Sequence, residues 1–280
     1  MSDVRTTKLP SGTEVPVLGQ GTWGWAEDAG RRANEIASLR RGLRLGLSLV
    51  DTAELYADGG AEKLVGEAIA GRRNEVFLVS KVLPSNATRD GTVAACERSL
   101  RRLGTDWLDL YLLHWRGRVP LTETVAAFED LVAAGKIRHW GVSNFDPRDM
   151  AELATVSGGD NVATDQVLYN LASRGIEWDL LPECQKRQIP VMAYSPLGHG
   201  RLLQERILID IAIQYDVRPA QVALAWVLRQ DGVSAIPRAS TPAHVEQNRA
   251  ALELQLSKET LEELDLAFPP SAGPVPLEVL

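Results

Sequence analysis

The chain has 280 residues, 45% of them hydrophobic and 24% charged, an ordinary composition for a globular protein that buries a core. Its 30 Lys and Arg against 37 Asp and Glu leave a formal net charge of -7, which argues against broad adhesion to nucleic acid or anionic membrane. Cys96 and Cys184 are the only cysteines and stand in unrelated contexts, which argues against a disulfide framework or a cysteine metal cluster and points to a reducing compartment.

The opening Met1-Ser2-Asp3-Val4-Arg5 has no apolar secretory core, and no apolar stretch is long enough to span a bilayer, so a cytoplasmic protein with no membrane partner is expected. The segment from Thr6 to Val17 reads as a short hairpin turning at Ser11-Gly12, suited to cap a barrel floor. An early strand follows near Val17-Leu18-Gly19. Beyond it, short apolar runs at about 48–50, 76–80, 108–113, 137–142, 161–164, 190–194 and 233–236 alternate with amphipathic stretches at about 31–45, 60–70, 88–102, 121–134, 146–156, 174–187 and 205–229. Leu108-Asp109-Leu110-Tyr111-Leu112-Leu113 is too short and too apolar for a surface helix and reads as a strand covered on both faces. Gly104 and Gly135 punctuate helix ends. The pattern predicts an α/β protein, a TIM (β/α)8 barrel with an N-terminal β-hairpin. No linker or charge block divides residues 1–280, so one domain is expected. An open doubly wound sheet is the competing arrangement, but a barrel leaves no parallel edge strand exposed.

In a barrel, residues at the C-terminal ends of different strands share one mouth. Asp51 follows Ser48-Leu49-Val50, and Tyr56 lies five residues on; Lys81 follows Val79-Ser80, and His114 follows Leu112-Leu113. Each has a commonplace reading of its own: a helix cap, a rim aromatic, a surface lysine, a packed histidine. Together they are parts for carbonyl reduction. An Asp51–Lys81 pair holds the ammonium charged, Lys81 beside Tyr56 is expected to lower the phenol's pKa, and His114 donates to a carbonyl oxygen. No H-E-x-x-H motif occurs and the four histidines are dispersed, so no metal site is expected.

The ordered motifs resemble the aldo-keto reductase family. Gly19-Gln20-Gly21-Thr22-Trp23-Gly24-Trp25 looks like its first-strand region. Val50-Asp51-Thr52-Ala53-Glu54-Leu55-Tyr56 with Gly60-Ala61-Glu62-Lys63-Leu64-Val65-Gly66, then Leu108 to Trp115, then Gly135-Lys136-Ile137 to Phe145, match three more signatures. The resemblance implies hydride transfer from C4 of a reduced nicotinamide to an aldehyde or ketone, with Asp51, Tyr56, Lys81 and His114 as the catalytic tetrad and Tyr56 as general acid. It implies that Ser143, Asn144 and Gln166 hold the nicotinamide carboxamide and that Tyr194 lies under the ring. Tyr194-Ser195-Pro196-Leu197-Gly198-His199-Gly200 resembles the phosphate-proximal loop, where Ser195 and Leu197 support the pyrophosphate. Ile236-Pro237-Arg238-Ala239-Ser240 and the segment through Asn248 resemble the last signature. There Arg238 is a phosphate cation, Ser240 lies near the phosphates or adenosine, and Gln247 and Asn248 lie near adenine.

Two positions depart from the family's NADPH-using pattern: His244 stands where arginine is frequent and Ala239 where a hydroxyl is frequent. Arg238 compensates in charge, so NADPH/NADP+ is the expected cofactor, with NADH possible. Trp23, Trp25 and Trp115 are expected in the substrate pocket, and Arg116 and Arg118 offer charge to an anionic carbonyl compound. The expected partner is a small aldehyde or ketone, and the resemblance implies a monomer. The alternative function is a regulatory protein that binds the nicotinamide cofactor without turnover.

Overall fold

A computed structural model describes residues 4–280; the reading made from Met1 to Asp3 lies outside the described residues. Thr6–Lys8 (β1) and Glu14–Pro16 (β2) pair antiparallel as the expected hairpin. Eight parallel strands follow: Gln20–Gly21 (β3), Leu49–Asp51 (β4), Phe77–Val82 (β5), Leu108–Leu113 (β6), Ile137–Ser143 (β7), Asp165–Leu168 (β8), Val191–Tyr194 (β9) and Val233–Ala235 (β10). Each pairs with its sequence neighbour, and the two ends of the row meet: Gly19 N donates to Ala235 O at 2.8 Å and Ala235 N to Val17 O at 2.8 Å. The seam needs a glycine. A Cβ on Gly21 would stand 2.6 Å from the Ile236 carbonyl oxygen, inside any tolerable contact.

The helices cover the outside: Arg32–Arg44 (α1), Gly60–Ile69 (α2), Arg89–Leu103 (α3), Leu121–Ala133 (α4), Pro147–Thr155 (α5), Leu180–Lys186 (α6), Arg206–Gln214 (α7), Pro219–Val227 (α8), Pro242–Ala250 (α9) and Lys258–Ala267 (α10). Helix starts are chemically marked. Thr88 caps α3, Ser257 caps α10, and Asp146 and Asp149 form a reciprocal capping box on α5.

Two clusters make the core. The larger lies between sheet and helices; the smaller fills the barrel and includes Leu49, Val79, Leu110, Leu112 and Met192. Leu9 and Val15 of the hairpin join the smaller cluster, so the hairpin closes the floor with apolar side chains.

Three sequence expectations are corrected. The stretch 205–229 is two helices, because Asp216 turns left-handed at φ 54° and Pro219 restarts the chain as α8. The stretch 174–187 is helical as α6 only from Leu180, after a short 3-10 turn and the Asp179 cap. The strand expected at 161–164 is displaced to β8, although Ala163 N still bonds Trp140 O at 2.8 Å and Thr164 O accepts from Val142 N at 3.0 Å. The apolar run thus leads into the strand rather than forming it.

Candidate active site

Strand alternation builds the site. Inward-facing positions recur every second residue, so the stripe that starts apolar inside the barrel ends polar at its mouth. Leu49 leads to Asp51, Val79 to Lys81, Leu110 and Leu112 to His114, and Met192 to Tyr194.

These ends meet. Lys81, wholly buried, donates from Nζ to Asp51 Oδ2 at 2.7 Å, to the Thr52 carbonyl at 3.0 Å and to Tyr56 Oη at 3.1 Å. All three ammonium protons are therefore spent. The Tyr56 and His114 ring centres are 5.8 Å apart at an edge-on angle of 74°. Tyr56 opens a 3-10 turn in which Ala57 and Asp58 both adopt φ 49°, a costly backbone for non-glycine residues. Asn144, Ser195 and His199, on the other loops of the same mouth, are left-handed as well.

Burial pushes the Tyr56 phenol above its usual value; the Lys81 ammonium opposes this and the Asp51 carboxylate adds to it. Lys81 acts in the expected direction, but the net shift is upward, which corrects the expectation of a lowered phenol pKa: the low-dielectric surroundings outweigh one already paired cation. Burial disfavours the Lys81 ammonium, yet its contacts with Asp51 and Tyr56 together hold its pKa above the ordinary lysine value. Burial, with Lys81 adding to it, pushes His114 from 6.5 down to about 3, so its imidazole is neutral near pH 7. Among the described residues its Nδ1, which is buried, has no hydrogen-bond partner.

Four further residues are bonded to this group. Gln166 Nε2 donates to Asp51 Oδ1 at 2.8 Å, Ser143 Oγ to the Gln166 carbonyl at 2.7 Å, Asn144 Nδ2 to the His114 carbonyl at 3.1 Å, and Tyr194 Oη to Asn144 Oδ1 at 2.8 Å. Ser195 Oγ lies 3.1 Å from His199 Nε2, and half-buried Leu197 begins the turn that follows. Arg238 is exposed and makes no ion pair among the described residues. A Cβ on Gly24 would sit 2.6 Å from its guanidinium, at φ +74°, so glycine there admits the arginine. Half-buried Ser240 precedes the Thr241 cap of α9, on which Gln247 is half-buried and Asn248 buried. This last segment stands outside the hydrogen-bonded group around Lys81.

Trp115 is 40% exposed with its ring 5.0 Å from His114, and Trp23 is 53% exposed with its ring 5.1 Å from His199. Trp25 is 1% exposed and belongs to the core, which corrects its placement in the pocket. Arg116 is spent on Gly117 O, Val119 O and Glu152, so only Arg118 is left as an exposed charge in that loop. Two residues with contacts at the site were missed in the sequence. His199 bridges Ser195 and Trp23, for which its Gly-His-Gly setting was the one signal, and Met192 Sδ lies 3.0 Å from Gln166 Nε2, for which there was none. Among the described residues no group of His, Cys, Asp and Glu is placed to hold a metal ion, and no helix is long and apolar enough to cross a membrane.

Residues 17–267 match the model of the aldo/keto reductase family. The chain belongs to that family. The family brings the reaction class, nicotinamide-dependent reduction of aldehydes and ketones. The chain is 57% identical over 271 residues to methylglyoxal reductase YeaE of Escherichia coli K12, covering 95% of each. It is 35% identical to glyoxal reductase of Bacillus subtilis, covering 98% of this chain and 97% of that one. An aldo-keto reductase of Klebsiella pneumoniae, solved in complex with NADPH, superposes over all of both chains with a TM-score of 0.97 at 51% identity.

Proposed function

We propose that this chain, as one barrel domain, reduces small reactive aldehydes of the methylglyoxal and glyoxal class to alcohols and prefers NADPH. The substrate class is that named for two relatives of this reductase. The observation that carries the chemistry is the buried Asp51–Lys81 pair with Tyr56 Oη at 3.1 Å from the ammonium.

The residues present suit the cofactor. Among the described residues Gln166 Oε1 accepts no bond within the chain, which suits the carboxamide NH2, and Arg238 is a cation free of any carboxylate, which suits a phosphate. When bound, the reduced nicotinamide supplies the hydride. Tyr56 supplies the proton: its raised pKa keeps the phenol protonated, and its Oη proton passes to the carbonyl oxygen as that oxygen gains charge. Lys81, hydrogen-bonded to the same Oη, stabilises the phenolate left behind, and Asp51 holds Lys81. His114 is neutral, so its ring keeps one N–H to offer the carbonyl oxygen as a hydrogen-bond donor. Trp23 beside His199 and Trp115 beside His114 are both exposed, which suits aromatic walls for a small substrate.

NADPH consumption against a panel of methylglyoxal, glyoxal, aromatic aldehydes and simple ketones tests this reading. Highest kcat/KM on the two dicarbonyls is expected; absence of turnover across the panel would sink it. Arg238→Ala is expected to weaken NADPH about tenfold or more and NADH by less, because the second cofactor lacks the adenosine 2′-phosphate. Equal losses in the two dissociation constants, measured at one salt concentration, would refute the assignment of Arg238.

The state of His114 sets an acid-side expectation. With the imidazole pushed down to about 3, kcat/KM for reduction should stay level as pH falls through 6.5, the ordinary imidazole value. An inflection near 6.5 that vanishes in His114→Gln would contradict a neutral donor.

A further inference from the structure

The hydrogen bond between Gln166 and Asp51 joins two groups of residues with separate expected duties. Gln166 belongs with Ser143 and Asn144, and Asp51 with Lys81 and Tyr56. The carboxylate accepts from two sides: Oδ2 from Lys81 Nζ at 2.7 Å and Oδ1 from Gln166 Nε2 at 2.8 Å. A carboxylate cannot face an amide oxygen at that distance without repulsion, so Asp51 dictates which way the Gln166 amide is turned. Met192 Sδ, 3.0 Å from the same Nε2, takes the other side of that nitrogen. Both atoms engaging Nε2 lie in the buried interior, and Oε1 is left as the acceptor.

We propose that Asp51 is also a positioning residue for the cofactor: by accepting from Gln166 Nε2 it turns the amide so that Oε1 is presented to the carboxamide NH2 of the nicotinamide. The proposal rests on the reading of Gln166 as a carboxamide holder. One carboxylate thereby serves both sides of the reaction, orienting the hydride donor through Gln166 and the proton donor through Lys81. Energetic coupling of this kind is reciprocal, so seating the cofactor also bears on the hydrogen bonding of Asp51.

The test is a double-mutant cycle in NADPH affinity, read by the fluorescence of the bound cofactor without turnover. NADPH is the probe because its nicotinamide ring is neutral, so the charge lost at Asp51 does not act on the ring directly. In D51N the single side-chain oxygen is claimed by the Lys81 ammonium, which turns an N–H toward Gln166 Nε2 and forces that amide to rotate. Q166L keeps the volume and removes the amide. Each single variant is expected to weaken NADPH about fivefold, the worth of one hydrogen bond, and D51N/Q166L to be no weaker than Q166L within about twofold. Losses that multiply, or D51N binding as the wild type does while Q166L is weakened, would overturn the inference and leave Gln166 its own role. Wild-type affinity in Q166L would remove that role as well. A second measurement needs no Asp51 variant. The side-chain amide of Gln166, assigned in nitrogen-proton spectra by its loss in Q166L, should show protons protected from solvent exchange in the cofactor-free protein. Rapid solvent exchange of that amide would overturn the inference even if D51N failed to fold.

Discussion

Tyr56→Phe is expected to lower kcat for aldehyde reduction by about two to four orders of magnitude, the range for losing a positioned general acid. NADPH affinity should stay within about twofold, because the lost hydroxyl contacts Lys81 and not the residues assigned to the cofactor. The ring itself is kept, with its packing against His114. The wild-type pH profile carries the same argument with a sign. Burial raises the phenol above its ordinary value of 10.0, so the protonated form that reduction needs persists through neutral and mildly alkaline pH. Alcohol oxidation uses the opposite form, so its rate should climb with pH as that of reduction begins to fall. A Tyr56→Phe enzyme with wild-type steady-state reduction on several confirmed substrates would remove Tyr56 as the acid.

Lys81→Met should reduce both stability and turnover. Lys81 is fully buried and is the counter-charge of Asp51; removing it leaves a carboxylate in the barrel with only the Gln166 amide beside it. Breaking a buried pair from one side costs about 3–5 kcal/mol, a fall in Tm on the order of 10 °C for a chain of this size. Taking out both charges, as in D51N/K81M, is expected to restore much of the lost Tm, since no unpaired ion is left. It should not restore turnover, because the phenolate of Tyr56 has lost its ammonium partner. Thermal melts and kcat measured on the same three proteins separate the two effects. A double variant that regained activity with its stability would show that Lys81 serves only the fold.

Much of the site was legible because strand alternation is local. Asp51, Lys81 and His114 each follow an apolar run, and a polar residue in an inward-facing register marks a strand end whatever the fold. Tyr56 was legible through its distance from Asp51, and Ser143, Asn144, Gln166 and Tyr194, which the structure brings into the same hydrogen-bonded group, through ordered motifs. The errors have a common origin. Trp25 and Trp23 are two residues apart in one loop, yet one is in the core and the other on the mouth; the chain's path across the barrel end makes the difference. The run at 161–164 has the composition of a strand, but pairing with β7 and β9 sets β8 at Asp165–Leu168. The direction of the Tyr56 shift also lay beyond local reading, because it depends on how much solvent the assembled mouth excludes.

Length, charge and apolar spacing by themselves determined an acidic chain of alternating strands and helices with polar groups at the strand ends, since a period of two or of 3.6 is written in neighbouring residues. Only the tertiary structure decided which of those groups touch. The Gln166–Asp51 bond spans 115 positions and joins β8 to β4, strands that are not neighbours, so it does not exist until the barrel closes at the β3–β10 seam; the Lys81–Asp51 bond spans 30 and forms once β4 and β5 lie side by side. Closure brings the strand ends to one mouth, excludes water from their charges, and so sets both their partners and their protonation.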